Sequence, residues 1–144
     1  MVNKKTIPLK KNQPESSTKL DVAKRLMRYD RMSFNFSFLT NDRQFNLDTL
    51  QPVNHKKLLN KLKLLSAHNV TKVKLLPKEQ GIEFIESLKK SITITEFKSS
   101  GRFDECDNNY CVFRISNVGR VIGKINNNLF YVLAIDTKFS LYDH

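Results

Sequence analysis

The stretch that most restricts this chain is "YCVFRISNVGRVIGKINNNLFYVLAID", residues 110–136. It alternates with period two, breaks at "NVG", resumes, breaks again at "NNN" and resumes. Period two belongs to strands, whose side chains point to opposite faces in turn. Breaks this short join antiparallel neighbours, because parallel strands need a long crossover. Gly119 is available for a left-handed position in the first turn, and asparagine tolerates positive φ in the second. The run predicts a three-stranded antiparallel meander. Its last strand is apolar on both sides, with Leu129, Tyr131, Leu133 and Ile135 on one face and Phe130, Val132 and Ala134 on the other. Such a strand needs cover on both faces. Gly123, inside "VIGKI", is expected at a bulge or a close approach.

Cover must come from upstream. "NHKKLLNKLKLLSAH", residues 54–68, reads as a helix capped by Asn54, with Leu58, Leu62 and Leu65 aligned and Leu59 flanking. "TKLDVAKRLMRYD", residues 18–30, reads as a shorter helix in which Thr18 and Asp21 form a capping box. "EQGIEFIESLKK" reads as another, with Phe84, Ile85 and Leu88 inward, and "NVTKVKLLP" as a loop or short strand. "MSFNFSFL" alternates aromatic and polar residues and predicts a strand with Phe34, Phe36 and Phe38 on one face. A turn at "TNDR" and a return strand at "QFNL" would make it an N-terminal β-hairpin. "SITITEF" and "KFSLY" read as further short strands. The expected fold class is α+β, an antiparallel C-terminal β-meander packed against two or three helices, with that hairpin and a flexible basic arm. The length of 144 residues fits one domain, 18–144, after an arm over 1–17 that is too polar to bury itself.

Charge narrows the partner. Residues 1–31 carry nine basic and three acidic side chains, or +6, and residues 32–75 carry seven and two, or +5, so the whole excess of +11 lies in the first half. A field of this sign attracts nucleic acid, the ribosome or an anionic surface. On the long helix, Lys56, Lys57, Lys61 and Lys63 have no acid among them; on the first helix, Lys24, Arg25 and Arg28 stand off the apolar stripe. These seven are the candidate nucleic-acid-binding residues. The bland alternative for each is a solvated face.

Few catalytic or metal motifs are available. No phosphate-binding loop, nucleophile elbow or zinc-protease motif occurs. His55 and His68 are thirteen residues apart and do not share a helix face. Cys106 and Cys111 lack the spacing of a zinc site, and two thiols in a reducing compartment are the simpler reading than a disulfide. No cofactor or metal is expected. No apolar run reaches the length of a membrane span, and the first residues lack a secretory core, so a cytoplasmic protein with no membrane partner is expected. What remains is Arg114 and Arg120, set in strands where an arginine must face solvent, an acid or a ligand, and the terminal "LYDH".

The order of helices followed by "CVFRIS…GRVIGKI…LFYVLAID…LYDH" resembles the RelE/YoeB/ParE toxin superfamily. The resemblance implies two helices on an antiparallel sheet and, for its ribonuclease members, metal-independent cleavage of mRNA on the ribosome. It implies that Arg114 or Arg120 matches the strand arginine, and that Tyr142 and His144 match the terminal pair, so these four are the candidate catalytic residues. It also implies an antitoxin or other protein partner. The same terminal pattern is similar to small proteins of low-GC bacteria and their mobile elements. Three readings therefore stand: an endoribonuclease toxin, a non-catalytic nucleic-acid- or protein-binding module of a phage, plasmid or other mobile element, and an inhibitor or accessory subunit that binds a protein through the aromatic strand.

Overall fold

The structure, a computed structural model, describes residues 18–19, 21–22 and 30–143. The expected arm 1–17 lies outside the described residues, as do Lys24, Arg25, Arg28 and His144. At the start, Thr18 forms the expected cap: its hydroxyl accepts from the Asp21 amide at 3.3 Å and donates to the Asp21 carboxylate at 2.7 Å.

The meander is present. Strands β3 (Tyr110–Ile115), β4 (Gly119–Asn126) and β5 (Leu129–Asp136) pair antiparallel in sequence order. They belong to a five-stranded mixed sheet of order β1-β5-β4-β3-β2, with β1 at Ser33–Asn35 and β2 at Glu83–Ile85. The fold is α+β. Helix α1 (Pro52–Ser66) packs Leu58 and Leu65 on one face of the sheet, and α2 (Val70–Leu75) adds Val73. The other face is covered by α3 (Thr95–Ser99), α4 (Arg102–Glu105) and the segment ending at Tyr142. Cover on both sides is what the apolar strand β5 required.

A bulge changes which β5 residues share a face. The β4–β5 register steps from Ile122↔Ala134 to Gly123↔Val132, leaving Leu133 unopposed. Beyond it Ala134 turns to the Tyr131 face, and Ile135 joins Phe130 and Val132 under α1. The expected strict alternation along β5 is therefore corrected. Gly123 sits at this step, where a Cβ would lie 2.0 Å from the Tyr131 carbonyl oxygen. In the β3–β4 turn, Ser116 takes the left-handed position at φ 49, not Gly119.

Other sequence expectations fail for identifiable reasons. The N-terminal hairpin does not form: β1 pairs parallel to β5. After β1, the Asn35 side chain accepts from the Ser37 amide and hydroxyl at 2.9 and 2.6 Å, an Asx turn that ends the strand. Phe34 stays against Phe113 and Phe130, while Phe38 crosses to Phe97 and Tyr131. "QFNL" is not a strand. Thr40 donates to the Leu133 carbonyl at 2.9 Å, and the Phe45 carbonyl accepts from Ile135 at 2.8 Å, so this loop covers the β5 edge that β1 leaves open. Asn46 then caps a 3-10 turn, Leu47–Thr49.

The residue before α1 is Gln51, with Pro52 in the first turn, so Asn54 lies inside the helix rather than capping it. The helix expected around "GIEFIESL" is the strand β2, with Phe84 40% exposed and Glu83 and Ile85 facing the opposite side. "SITITEF" is no strand: residues 91–94 are irregular and the last three enter α3, because Phe97 gains full burial among Phe38, Phe103 and Tyr131, which outweighs β-propensity. "KFSLY" is a turn rather than an edge strand.

Candidate functional site

Arg114 and Arg120 are directly opposed across β3 and β4, so both side chains leave the same face of the sheet. The face is the one that carries Val112, Ile122 and Tyr142, away from α1. Asp136 is next in register on β5, opposite Arg120. Its carboxylate is fully buried and is taken by backbone donors, Leu141 N at 2.9 Å and Lys138 N at 3.2 Å. These two bonds fold the segment after β5 and hold Phe139 at φ 55. Left-handed backbone costs an aromatic residue about 1–2 kcal/mol. Here it sets the Phe139 ring 4.9 Å from the Arg120 guanidinium, a cation–π contact.

The Arg120 guanidinium also donates to the carbonyls of Gly119 at 3.0 Å and Ser116 at 3.3 Å. Tyr142 lies beside it, 4% exposed, with its ring in the cluster of Val112, Ile122 and Ala134. Its hydroxyl donates to Glu83 Oε1 at 2.9 Å. Burial first, and then the Glu83 carboxylate, push the phenol above its usual range, while Arg120 pulls the other way. The hydroxyl therefore stays protonated at neutral pH and acts as a donor that ties Glu83 to Arg120. The segment is further held by Lys89, whose amide donates to the Leu141 carbonyl at 2.7 Å and whose ammonium pairs with Asp143.

Arg114 is half-buried and, among the described residues, has no hydrogen bond, ion pair or aromatic partner. The Nε atoms of both Arg114 and Arg120 are closed to solvent and lack an acceptor among the described residues. A buried donor left unpaired costs about 1–3 kcal/mol. Lys61 approaches the same corner from α1, donating to the Gln80 carbonyl at 2.8 Å. Burial, and then the Arg114 charge, hold its ammonium pKa below the usual range.

The lysine face is a separate surface. Residues 49–78 hold Lys56, Lys57, Lys61, Lys63, Lys72, Lys74 and Lys78 and no Asp or Glu. Lys56, Lys57 and Lys63 are exposed on α1, and no acid among the described residues lies within ion-pair distance of them. The structure thus brings Arg114, Arg120 and Tyr142 together on one side of the sheet and leaves Lys56, Lys57 and Lys63 on the helix across from it. Among the described residues, Lys61 connects the two.

Sequence reasoning missed Glu83, because its segment reads as helical, and it read the apolar Phe139 and Leu141 as able to tie the end to the sheet without foreseeing the contact of Phe139 with Arg120. It also missed Lys124, 3% exposed beneath the rings of Phe103 and Tyr110 at 4.1 and 5.2 Å, with its ammonium on the Asn108 carbonyl. Cys106 and Cys111 are both free and lie in clusters on opposite faces of the sheet, so they do not pair. Burial pushes the Cys111 thiol up to about 12, which keeps it unreactive. Among the described residues no group of three or more His, Cys, Asp or Glu side chains is placed to hold a metal ion, and no helix is long and apolar enough to cross a membrane. No family model, curated protein or solved structure matches the chain.

Proposed function

We propose that this protein binds nucleic acid, RNA foremost, by its phosphate backbone, and that the exposed lysines of α1 carry the contact. The acid-free run over residues 49–78 supports this reading above all else. A helix face that serves only solvation normally mixes both signs. Lysines with no acid among them raise a field that draws in a polyanion and releases its counterions on contact. The ribosome is the natural large RNA for such a surface.

The ribonuclease form of this reading comes from the likeness to RelE-type toxins and draws on the common face of Arg114 and Arg120. In it the substrate's 2′-OH attacks the adjacent phosphorus and the 5′-oxygen leaves. The protein stabilises the charged phosphorane and moves the protons. Arg114 and Arg120 would hold the phosphate by paired hydrogen bonds, and His144 would serve as acid or base. Tyr142, bonded to Glu83, would act by keeping Arg120 in place.

Fluorescence anisotropy with a labelled single-stranded RNA tests the binding. The wild-type chain should bind, and the triple variant Lys56→Glu, Lys57→Glu, Lys63→Glu should lose binding at least tenfold. Equal affinity of the two proteins rules out the lysine face. Incubating mRNA and ribosomes with wild type, Arg120→Ala and His144→Ala decides between the two forms. Cleavage that both variants lose supports the enzyme, and binding without cleavage selects the non-catalytic module.

A further inference from the structure

The corner where β3 turns into β4 holds more positive charge than its own acids neutralise. Arg114 and Arg120 stand opposite each other, a like-charge pair that repels at this spacing. Lys61 enters the same field. The two nearby carboxylates are engaged: Asp136 by backbone N–H groups, Glu83 by the Tyr142 hydroxyl. Arg120 has settled on two carbonyls and the Phe139 ring. Arg114 has no acceptor among the described residues, and both Nε atoms are orphaned. The two arginines leave the sheet from paired positions, and the Arg114 fork is free to meet a phosphoryl group, whose oxygens accept in pairs.

We propose that Arg114, with Arg120 beside it and Lys61 at the rim, binds a phosphate monoester, and that on a bound strand this is the terminal phosphate. The strand part rests on the nucleic-acid reading above in its non-catalytic form, because a terminal phosphate is not the internal phosphodiester that a ribonuclease cuts; the anion part stands without it. Half-buried side chains favour an end over a through-going backbone. An internal phosphodiester brings a nucleotide on each side, whereas a terminal phosphate has one free side to insert. It also carries close to two negative charges at neutral pH, which suits a pair of arginines better than the single charge of a diester.

Thermal unfolding of the full chain, in chloride and in inorganic phosphate at matched ionic strength, tests the anion site. Saturating phosphate should raise the wild-type Tm by about 5 °C or more. Arg114→Ala should show no such gain. In chloride it should melt close to wild type, because the relief of repulsion offsets the lost packing of the aliphatic stem. Arg114→Lys, which keeps the charge and loses the fork, should recover only a minor part of the gain. No gain in wild type, or an equal gain in Arg114→Ala, overturns the site.

Oligoribonucleotides phosphorylated at the 5′ end, at the 3′ end or at neither test the strand part. Wild type should prefer one phosphorylated form about tenfold, and Arg114→Ala should lose that preference. Equal binding of all three, with the phosphate gain intact, overturns the strand-end assignment and leaves a site for a free phosphate. If no oligonucleotide binds while the phosphate gain persists, the lysine-face reading fails and the anion site holds.

Discussion

Cys111 and Tyr142 set how the fold responds to alkali. Both groups are protonated in the folded state and hold their protons more tightly there than in the unfolded chain, chiefly because burial penalises the anion. Their stabilisation is complete below the unfolded values and is lost as pH rises through the shifted ones. For Cys111 the window runs from 9.0 to about 12, and Tyr142 adds a loss beginning near 10.0. Urea midpoints should therefore fall steadily above pH 9, and Cys111→Ala should flatten the first part of that fall. A wild-type midpoint unchanged between pH 8 and pH 11 contradicts this assignment. Tyr142→Phe should cost about 1 kcal/mol at neutral pH by removing the bond to Glu83, read from the same denaturation curves. At this scale the sequence exposes the arginines, since a charge inside an apolar strand stands out. It hides Glu83, whose partner Tyr142 lies 59 positions away.

The strands show where period and propensity suffice and where they do not. β3, β4 and β5 are readable because each buries a whole face, so their alternation has little freedom. β1 and β2 each span three residues and lie at the edges, where local turn chemistry or one buried aromatic decides the outcome. "SITITEF" fails as a strand for that reason: Phe97 finds full burial on the sheet only if the backbone coils. The bulge opposite Gly123 is the feature of the core most sensitive to a single atom. Gly123→Ala places a methyl group 2.0 Å from the Tyr131 carbonyl oxygen and 2.4 Å from the Phe130 ring. It should cost about 3 kcal/mol or more in chemical denaturation. A cost below about 1 kcal/mol would mean that the bulge relaxes freely and does not fix the β5 register. Asp136 ends β5 in a comparable way. Asp136→Asn keeps the size but weakens the charged acceptor for Leu141 and Lys138, and should release the segment after β5, seen as faster amide exchange at Leu141.

Taken whole, the molecule separates two positive surfaces by a sheet covered on both sides. The lysines of α1 form an open, shallow field suited to steering and to phosphate contacts without sequence preference. The arginine corner is half-buried and built from strands, which position side chains more tightly than loops do. The charge excess of the first half was legible from composition; that Lys61 joins the two surfaces was not, because it depends on the turn at Gln80 coming within reach of α1. The central claim is that Lys56, Lys57 and Lys63 make phosphate contacts. The most direct test is the salt dependence of affinity for single-stranded RNA, plotted as log K against log salt. Each phosphate contact contributes a slope of about −0.7 on a single strand. The account predicts that Lys56→Ala, Lys57→Ala, Lys63→Ala together make the slope shallower by about 2 units. An unchanged slope, with wild-type affinity at every salt concentration, contradicts it.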